Sequence, residues 1–145
     1  MKKATDKPVT AKIRLGWDNK SINFLEVIKE LELAGCDLVA IHPRTAKEMY
    51  SGEPHWDLVK DLRKQMSIPL VVSGNIYKVK DAINALKITG ADAVMVARGA
   101  VGNPYLIKNL NAYFEGKEQD SASLNEQIDF CKELVKDLID EKGYR

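Results

Sequence analysis

Cysteine is scarce in this chain of 145 residues, and its two thiols, Cys36 and Cys131, stand 95 positions apart. Without a CxxC pair or Cys/His spacing, the sequence argues against a disulfide framework and against a metal site of the zinc type. Both thiols read as free and mostly buried, in a reducing compartment. Long apolar runs are also lacking: none approaches the roughly 18 to 20 residues that a membrane span needs. The start, MKKATDKPVT, has no apolar stretch of the secretory kind. A cytoplasmic location with no membrane partner is the expectation. Excess charge of either sign is missing as well, with 22 Lys and Arg against 21 Asp and Glu. That balance carries no global footprint of a nucleic-acid binder, so any polyanion contact must be local. Basic residues gather at Lys2, Lys3, Lys7, Lys12 and Arg14, a run that reads either as a solvated face or as a local RNA contact. What is present, 45% hydrophobic and 30% charged residues, suits one globular domain with a real core.

The chain alternates short apolar runs with helical stripes. Residues 9–13, VTAKI, predict a first strand, followed by a helix that Ser21 caps and Gly35 ends. Leu38 to Ile41 is apolar throughout and too short for a helix, so it predicts a second strand, with His42-Pro43-Arg44-Thr45 at its end. A loop over residues 46–55 leads to an expected helix over 56–66, with Trp56, Val59, Leu62, Arg63 and Met66 on one stripe. Residues 70–72 predict the third strand, which breaks at Ser73-Gly74-Asn75. A helix over 79–89 and a fourth strand over 93–97 follow. Beyond them come a helix over 104–115, a polar linker over 117–122, and the capping box Ser123-Leu124-Asn125-Glu126. This box opens an amphipathic helix that carries Cys131 in its apolar stripe. Four strands alternating with four helices make a βα series, and their continuous apolar character implies a parallel sheet.

The polar residues fall in register with the strands. Lys12, His42, Ser73 and Arg98 lie at or just past strand ends, at intervals of roughly 25 to 31 residues that suit successive βα units. They therefore converge on one rim, where parallel α/β sheets place their sites. The stretch from Asp92 to Leu106, DAVMVARGAVGNPYL, runs from a strand through Arg98-Gly99 and Gly102 to a proline-led helix. Backbone N–H groups, a guanidinium and a helix start at one point suit a phosphate. The same stretch also reads as a plain strand-to-helix turn, and alone it does not decide.

Taken together, these pieces resemble the flavin-dependent tRNA-dihydrouridine synthases, in the second half of their (βα)8 barrel. The resemblance runs from Lys12-Ile13-Arg14-Leu15-Gly16-Trp17-Asp18 through Ile41-His42-Pro43-Arg44-Thr45 and Met49-Tyr50-Ser51-Gly52. It continues through Ile68-Pro69, Ser73-Gly74-Asn75-Ile76 and Ala97-Arg98-Gly99-Ala100 to Gly102-Asn103-Pro104. It implies an α/β fold of four consecutive parallel βα units, over residues 1–116, that binds FMN. Residues 117–145 are then a linker and the first helix of a C-terminal helical domain. For the intact enzyme it implies tRNA as substrate and NADPH as reductant of the flavin.

Position by position, Lys12 matches the lysine at the flavin pyrimidine edge, where a cation favours the anionic reduced ring. His42 matches the histidine at the flavin edge. Ser73, Gly74 and Asn75 stand where the family usually has Asn-Gly-Asp at the ribityl and phosphate, so one carboxylate is missing. Ala97, Arg98 and Gly99 match the turn that completes the phosphate site, with the Gly74 and Gly99 backbones giving close approach. Arg44 and Tyr50 fall on the substrate side. The family's general acid is a cysteine, and neither Cys36, ahead of its strand, nor Cys131, on the last helix, is placed to replace it. The expectation is thus a fragment of such a synthase, inactive alone, which meets a missing N-terminal barrel half or associates with itself through exposed sheet edges. Other readings that stay open are a non-catalytic FMN or phosphate-binding half-barrel, a piece of another flavin-dependent TIM-barrel oxidoreductase, and an RNA-binding module using Lys2, Lys3, Lys7 and Arg14.

Overall fold

The computed structural model describes residues 2–143. Its centre is a parallel sheet of β1 (Thr10–Arg14), β2 (Leu38–His42), β3 (Leu70–Ser73) and β4 (Ala93–Met95). The strands lie side by side in chain order, β1-β2-β3-β4, and every pairing is parallel. Side chains alternate between the two faces of a strand. Ile13, Val39, Ile41, Leu70 and Val72 therefore share one face, and it holds the main core with Phe24 and Ile28 of α1 (Phe24–Leu33) and Ala85 of α2 (Val79–Thr89). Both helices thus cover the same face. The sheet is singly wound, as in a barrel, and not wound from both sides. The opposite face carries Lys12, Ala40, Val71 and Ala93, aligned by strand register, and ends in His42 and Ser73.

Local chemistry explains the helix ends, in one case against expectation. Ser21 does not cap α1: its hydroxyl turns back to the Asp18 carboxylate at 2.9 Å. The first orphan N–H groups, of Asn23 and Phe24, instead meet the carbonyl of Leu15 at 2.9 and 3.1 Å. At α2, the Asp81 carboxylate accepts from the backbone N–H of Tyr77 and Lys78 at 3.0 and 2.9 Å. Gly90 ends that helix in the left-handed conformation.

The helix expected over residues 56–66 is absent. Turns replace it, closing in a 3-10 segment at Leu62–Gln65. Asp61 has φ +52°, and its N–H goes to the carbonyl of Ile88 at 2.9 Å, not back along its own segment. Val59, Leu62 and Met66 are nonetheless buried, so the apolar stripe reaches the core without a regular helix. Strand β4 is also shorter than expected. At Ala97 the backbone turns out of the sheet into a 3-10 turn at Arg98–Ala100.

α3 (Tyr105–Phe114) packs Leu106 and Leu110 with Ile76 and Ala82 in a second, smaller core. α4 (Leu124–Lys142) starts on the expected capping box, with Ser123 Oγ accepting from Glu126 N–H, but none of its described side chains is buried. No helix of the described residues is long and apolar enough to cross a membrane.

Candidate functional site

A pocket of about 100 Å³ opens at the carboxyl ends of the strands. Lys12 and Arg14 reach it from β1, His42 from β2, and Ser73, Gly74 and Asn75 from the end of β3. The turn after β4 brings Ala97, Arg98 and Gly99, and Tyr50 comes from the loop after β2. The eight positions matched to flavin contacts therefore lie together around one space, although they span residues 12 to 99. Parallel winding explains this, because every strand delivers its carboxyl end to the same rim.

The electrostatics of the pocket are one-sided. Lys12, Arg14 and Arg98 line it, and among the described lining residues there is no carboxylate. The Arg98 guanidinium sits 4.5 Å from the centre of the Tyr50 ring and 5.8 Å from that of Tyr77, while Arg14 stands 5.6 Å from Tyr50. These cation–π contacts stiffen the cations at the mouth of the pocket. His42 is buried and edge-on to Tyr50, with ring centres 6.3 Å apart. Burial, and then the charges of Arg14, Arg44, Lys12 and Arg98, push its pKa down to about 4.

Asn75 ties two turns together. Its Oδ1 accepts from Arg98 Nη2 at 3.2 Å and from Arg44 Nη2 at 3.1 Å, while its Nδ2 donates to Glu53 at 2.9 Å. Its φ of +46° is one that asparagine tolerates better than most residues. Gly74 and Gly99, which both line the pocket, also make close approaches within the protein. A methyl on Gly99 would lie 2.0 Å from the carbonyl oxygen of Ile76, and one on Gly74 would lie 3.1 Å from the Pro54 ring. Both close approaches are to the protein's own atoms, and they lock the turns after β3 and β4 to their neighbours.

Arg44 does not face the pocket as a substrate contact would. It is fully buried and bonded to the loop backbone, whereas Tyr50 is exposed at the mouth. Arg14, expected only in the basic run and as an RNA contact, lines this pocket and is held by the carbonyls of Thr45 and Met49 at 2.8 and 2.9 Å. Its position two residues after Lys12, on the same face of a strand, was the signal for it. This placement also divides the basic residues of the amino-terminal region. Lys2 pairs with Asp37 ahead of β2, at the opposite rim from Arg14. Cys36 lies at that opposite rim too, its Sγ donating to the carbonyls of Val9 and Leu38 at 3.4 and 3.2 Å. Cys131 is exposed on α4.

Comparison with known proteins adds the following. The family model described as "Dihydrouridine synthase (Dus)" matches residues 1–145. A probable tRNA-dihydrouridine synthase 1 of Synechocystis is 35% identical over 143 residues, which is 98% of this chain and 40% of that protein. A probable tRNA-dihydrouridine synthase of Rhizobium leguminosarum is 40% identical over 138 residues, covering 92% of this chain and 44% of its own length. For tRNA-dihydrouridine synthase B of Pasteurella multocida the identity is 37% over 151 aligned residues, covering 99% and 45%. The chain thus spans less than half the length of these curated relatives. Among solved structures, a mandelate oxidase variant with (S)-mandelic acid superposes with a TM-score of 0.51 at 22% identity, over 71% of this chain and 39% of that one. That likeness bears on the α/β fold alone.

Proposed function

The chain belongs to the dihydrouridine synthase family, and on that premise we propose that it is the part of a tRNA-dihydrouridine synthase that holds the phosphate end and one edge of FMN. The observation that carries this reading is the convergence of Lys12, His42, Ser73, Asn75 and Arg98 on one cationic pocket at the strand ends. A pocket lined by cations, a hydroxyl and amides suits an anionic phosphate, and a carboxylate lining would repel one. At about 100 Å³ it takes the polar end of a nucleotide, and the ring system extends over the open face of the sheet.

In this reading Arg98 and the turns around Gly74 and Gly99 bind the phosphate. Lys12, on the open face, places a cation where the reduced ring carries negative charge. Tyr50 and Arg14 border the entry side, where a uridine of tRNA comes in. FMN held by these residues and reduced by NADPH would supply the hydride for reduction of the uridine C5=C6 bond. The proton for C5 needs a general acid within hydrogen-bond reach. Cys36 at the far rim and Cys131 on α4 are not such groups, so this chain alone holds FMN without turning over. The open sheet face and the edges of β1 and β4 support a partner that completes the sheet, either a further strand-bearing unit or a second copy.

The test is a fluorescence titration of FMN with the 145-residue protein, paired with an assay of dihydrouridine in unmodified tRNA given FMN and NADPH. Saturable quenching with no dihydrouridine is the expected pair of results. No FMN binding removes the flavin reading, and dihydrouridine formation removes the claim that the general acid lies elsewhere.

A further inference from the structure

Arg44 is the largest of the fully buried side chains, yet it lies outside the pocket lining. Burying a guanidinium is costly unless its N–H groups find acceptors. Here they do. Nε donates to the carbonyl of Ser51 at 3.1 Å, and Nη2 donates to the carbonyl of Gly52 at 2.5 Å and to Asn75 Oδ1 at 3.1 Å. The remaining contact joins Nη1 to His42 Nε2 at 3.1 Å.

That contact has a single chemical reading. A guanidinium has five N–H donors and nothing with which to accept, so Nε2 must be the bare, accepting nitrogen of the imidazole. A neutral ring then carries its proton on Nδ1, which lies 3.5 Å from Ser73 Oγ, at the outer limit of a hydrogen bond. The Ser73 hydroxyl in turn points to the carbonyl of Ile41 at 3.4 Å. Donation runs from Arg44 to His42, from His42 to Ser73 and from Ser73 to the Ile41 carbonyl, and it leaves no choice of tautomer.

We propose that Arg44 is a positioning residue of this site: it holds His42 as the neutral imidazole with its proton on Nδ1, and with the same guanidinium fixes the backbone at Ser51 and Gly52 that carries Tyr50 over that ring. The consequence for the site rests on the flavin reading above, but the tautomer does not. The charged groups around His42 all oppose a positive charge on its ring: Lys12 and Arg14 from β1, Arg44 beside it, and Arg98 from the turn after β4. Near neutral pH His42 therefore offers the pocket neither a positive charge nor an Nε2–H. It serves as an oriented wall, and donors to an anion come from Lys12, Arg14 and Arg98. The loop and the ring are held by one side chain, so disturbing either is felt by the other.

The chain has two histidines, His42 and His55. Long-range ¹H–¹⁵N correlation of the ¹⁵N-labelled protein resolves both rings, and His55→Gln assigns them. The expected wild-type result is a bare Nε2 and a protonated Nδ1 on His42, unchanged from pH 8 to pH 5. An Nε2–H tautomer or an imidazolium at pH 7 overturns the proposal. In Arg44→Gln, the His42 pattern moves to a mixture of tautomers and its titration rises toward the ordinary histidine range, while the unsubstituted His55 ring keeps its shifts. A His42 pattern unchanged in that variant also overturns it. If the variant does not fold, the wild-type spectrum still decides. FMN titrated into the same sample separates the two claims: a bare Nε2 with no flavin binding keeps the role of Arg44 and removes the flavin reading.

Discussion

Arg98 donates through Nη2 to Asn75 Oδ1 at 3.2 Å, and that bond joins the turn after β4 to the turn after β3 across the pocket. The arginine is otherwise exposed, so its remaining N–H groups are open to a ligand.

A charged hydrogen bond to an anion is worth about 1.5 to 3 kcal/mol. Arg98→Ala is therefore expected to weaken FMN binding by roughly 10- to 100-fold while leaving thermal stability nearly unchanged. Fluorescence titration and thermal melts of both proteins check this. Equal affinities would remove Arg98 from the phosphate site.

Gly99 tests the packing of the same turn. A methyl there meets the Ile76 carbonyl oxygen at 2.0 Å, whereas one on Gly116 meets nothing within 4 Å. Overpacking costs typically about 1 to 3 kcal/mol, and a 2.0 Å approach to a backbone oxygen belongs at the upper end, against about 1 to 2 kcal/mol for a side chain at the left-handed φ of Gly116. In urea, Gly99→Ala should therefore unfold at a clearly lower concentration than Gly116→Ala. Matching midpoints would show that the close approach at Gly99 does not constrain the fold.

The buried His42 makes stability depend on pH. Its pKa is about 4 in the folded protein, against 6.5 for an ordinary histidine. Between those values the unfolded chain takes up a proton that the folded one refuses, so stability falls as pH drops from 6.5 to 4 and this contribution levels off below 4. The loss is on the order of 3 kcal/mol in total. Carboxylates with depressed pKa values act lower. Glu48, held down to about 2 chiefly by its bond to His55, loses its contribution as pH falls from 4.5 toward 2. Urea unfolding at pH 7, 6 and 5, compared between the wild type and His42→Gln, isolates this histidine, and equal slopes in the two proteins would contradict its burial as a neutral ring. In His42→Gln the slope over that range should largely vanish.

The two thiols should react at different rates. Cys131 is exposed, while Cys36 is buried with its Sγ bonded to two backbone carbonyls. An aromatic disulfide reagent should titrate one thiol per chain quickly in the native protein, and the second only on unfolding. Two fast equivalents would place Cys36 at the surface.

Much of the frame was legible from composition and order. The runs at 38–41 and 70–72 are apolar, too short for helices and bounded by glycine, proline or polar residues, so strands were the remaining choice. Once those strands are parallel and in chain order, their carboxyl ends must share a rim, which brings Lys12, His42, Ser73 and Arg98 together. The stripe of Val59, Leu62 and Met66 likewise revealed burial, but not backbone. Periodicity reports which side chains go inside, and turns can satisfy it as well as a helix when a distant carbonyl, here that of Ile88, claims the N–H of Asp61.

By itself, then, the sequence determined the strands, their parallel order and the residues at their ends, because apolar runs and their spacing are local properties of the chain. Tertiary structure alone decided what those residues do once they meet. No periodicity marks Arg44 for burial; it became a buried tie because His42, Ser51, Gly52 and Asn75, up to 31 positions away, supply its acceptors. Gly99 is tight because Ile76 lies beneath it, and Ser21 fails as a cap because Leu15 supplies the acceptor first. Each outcome depends on which group from another segment arrives at a hydrogen bond or a van der Waals contact, and no spacing within one segment encodes that.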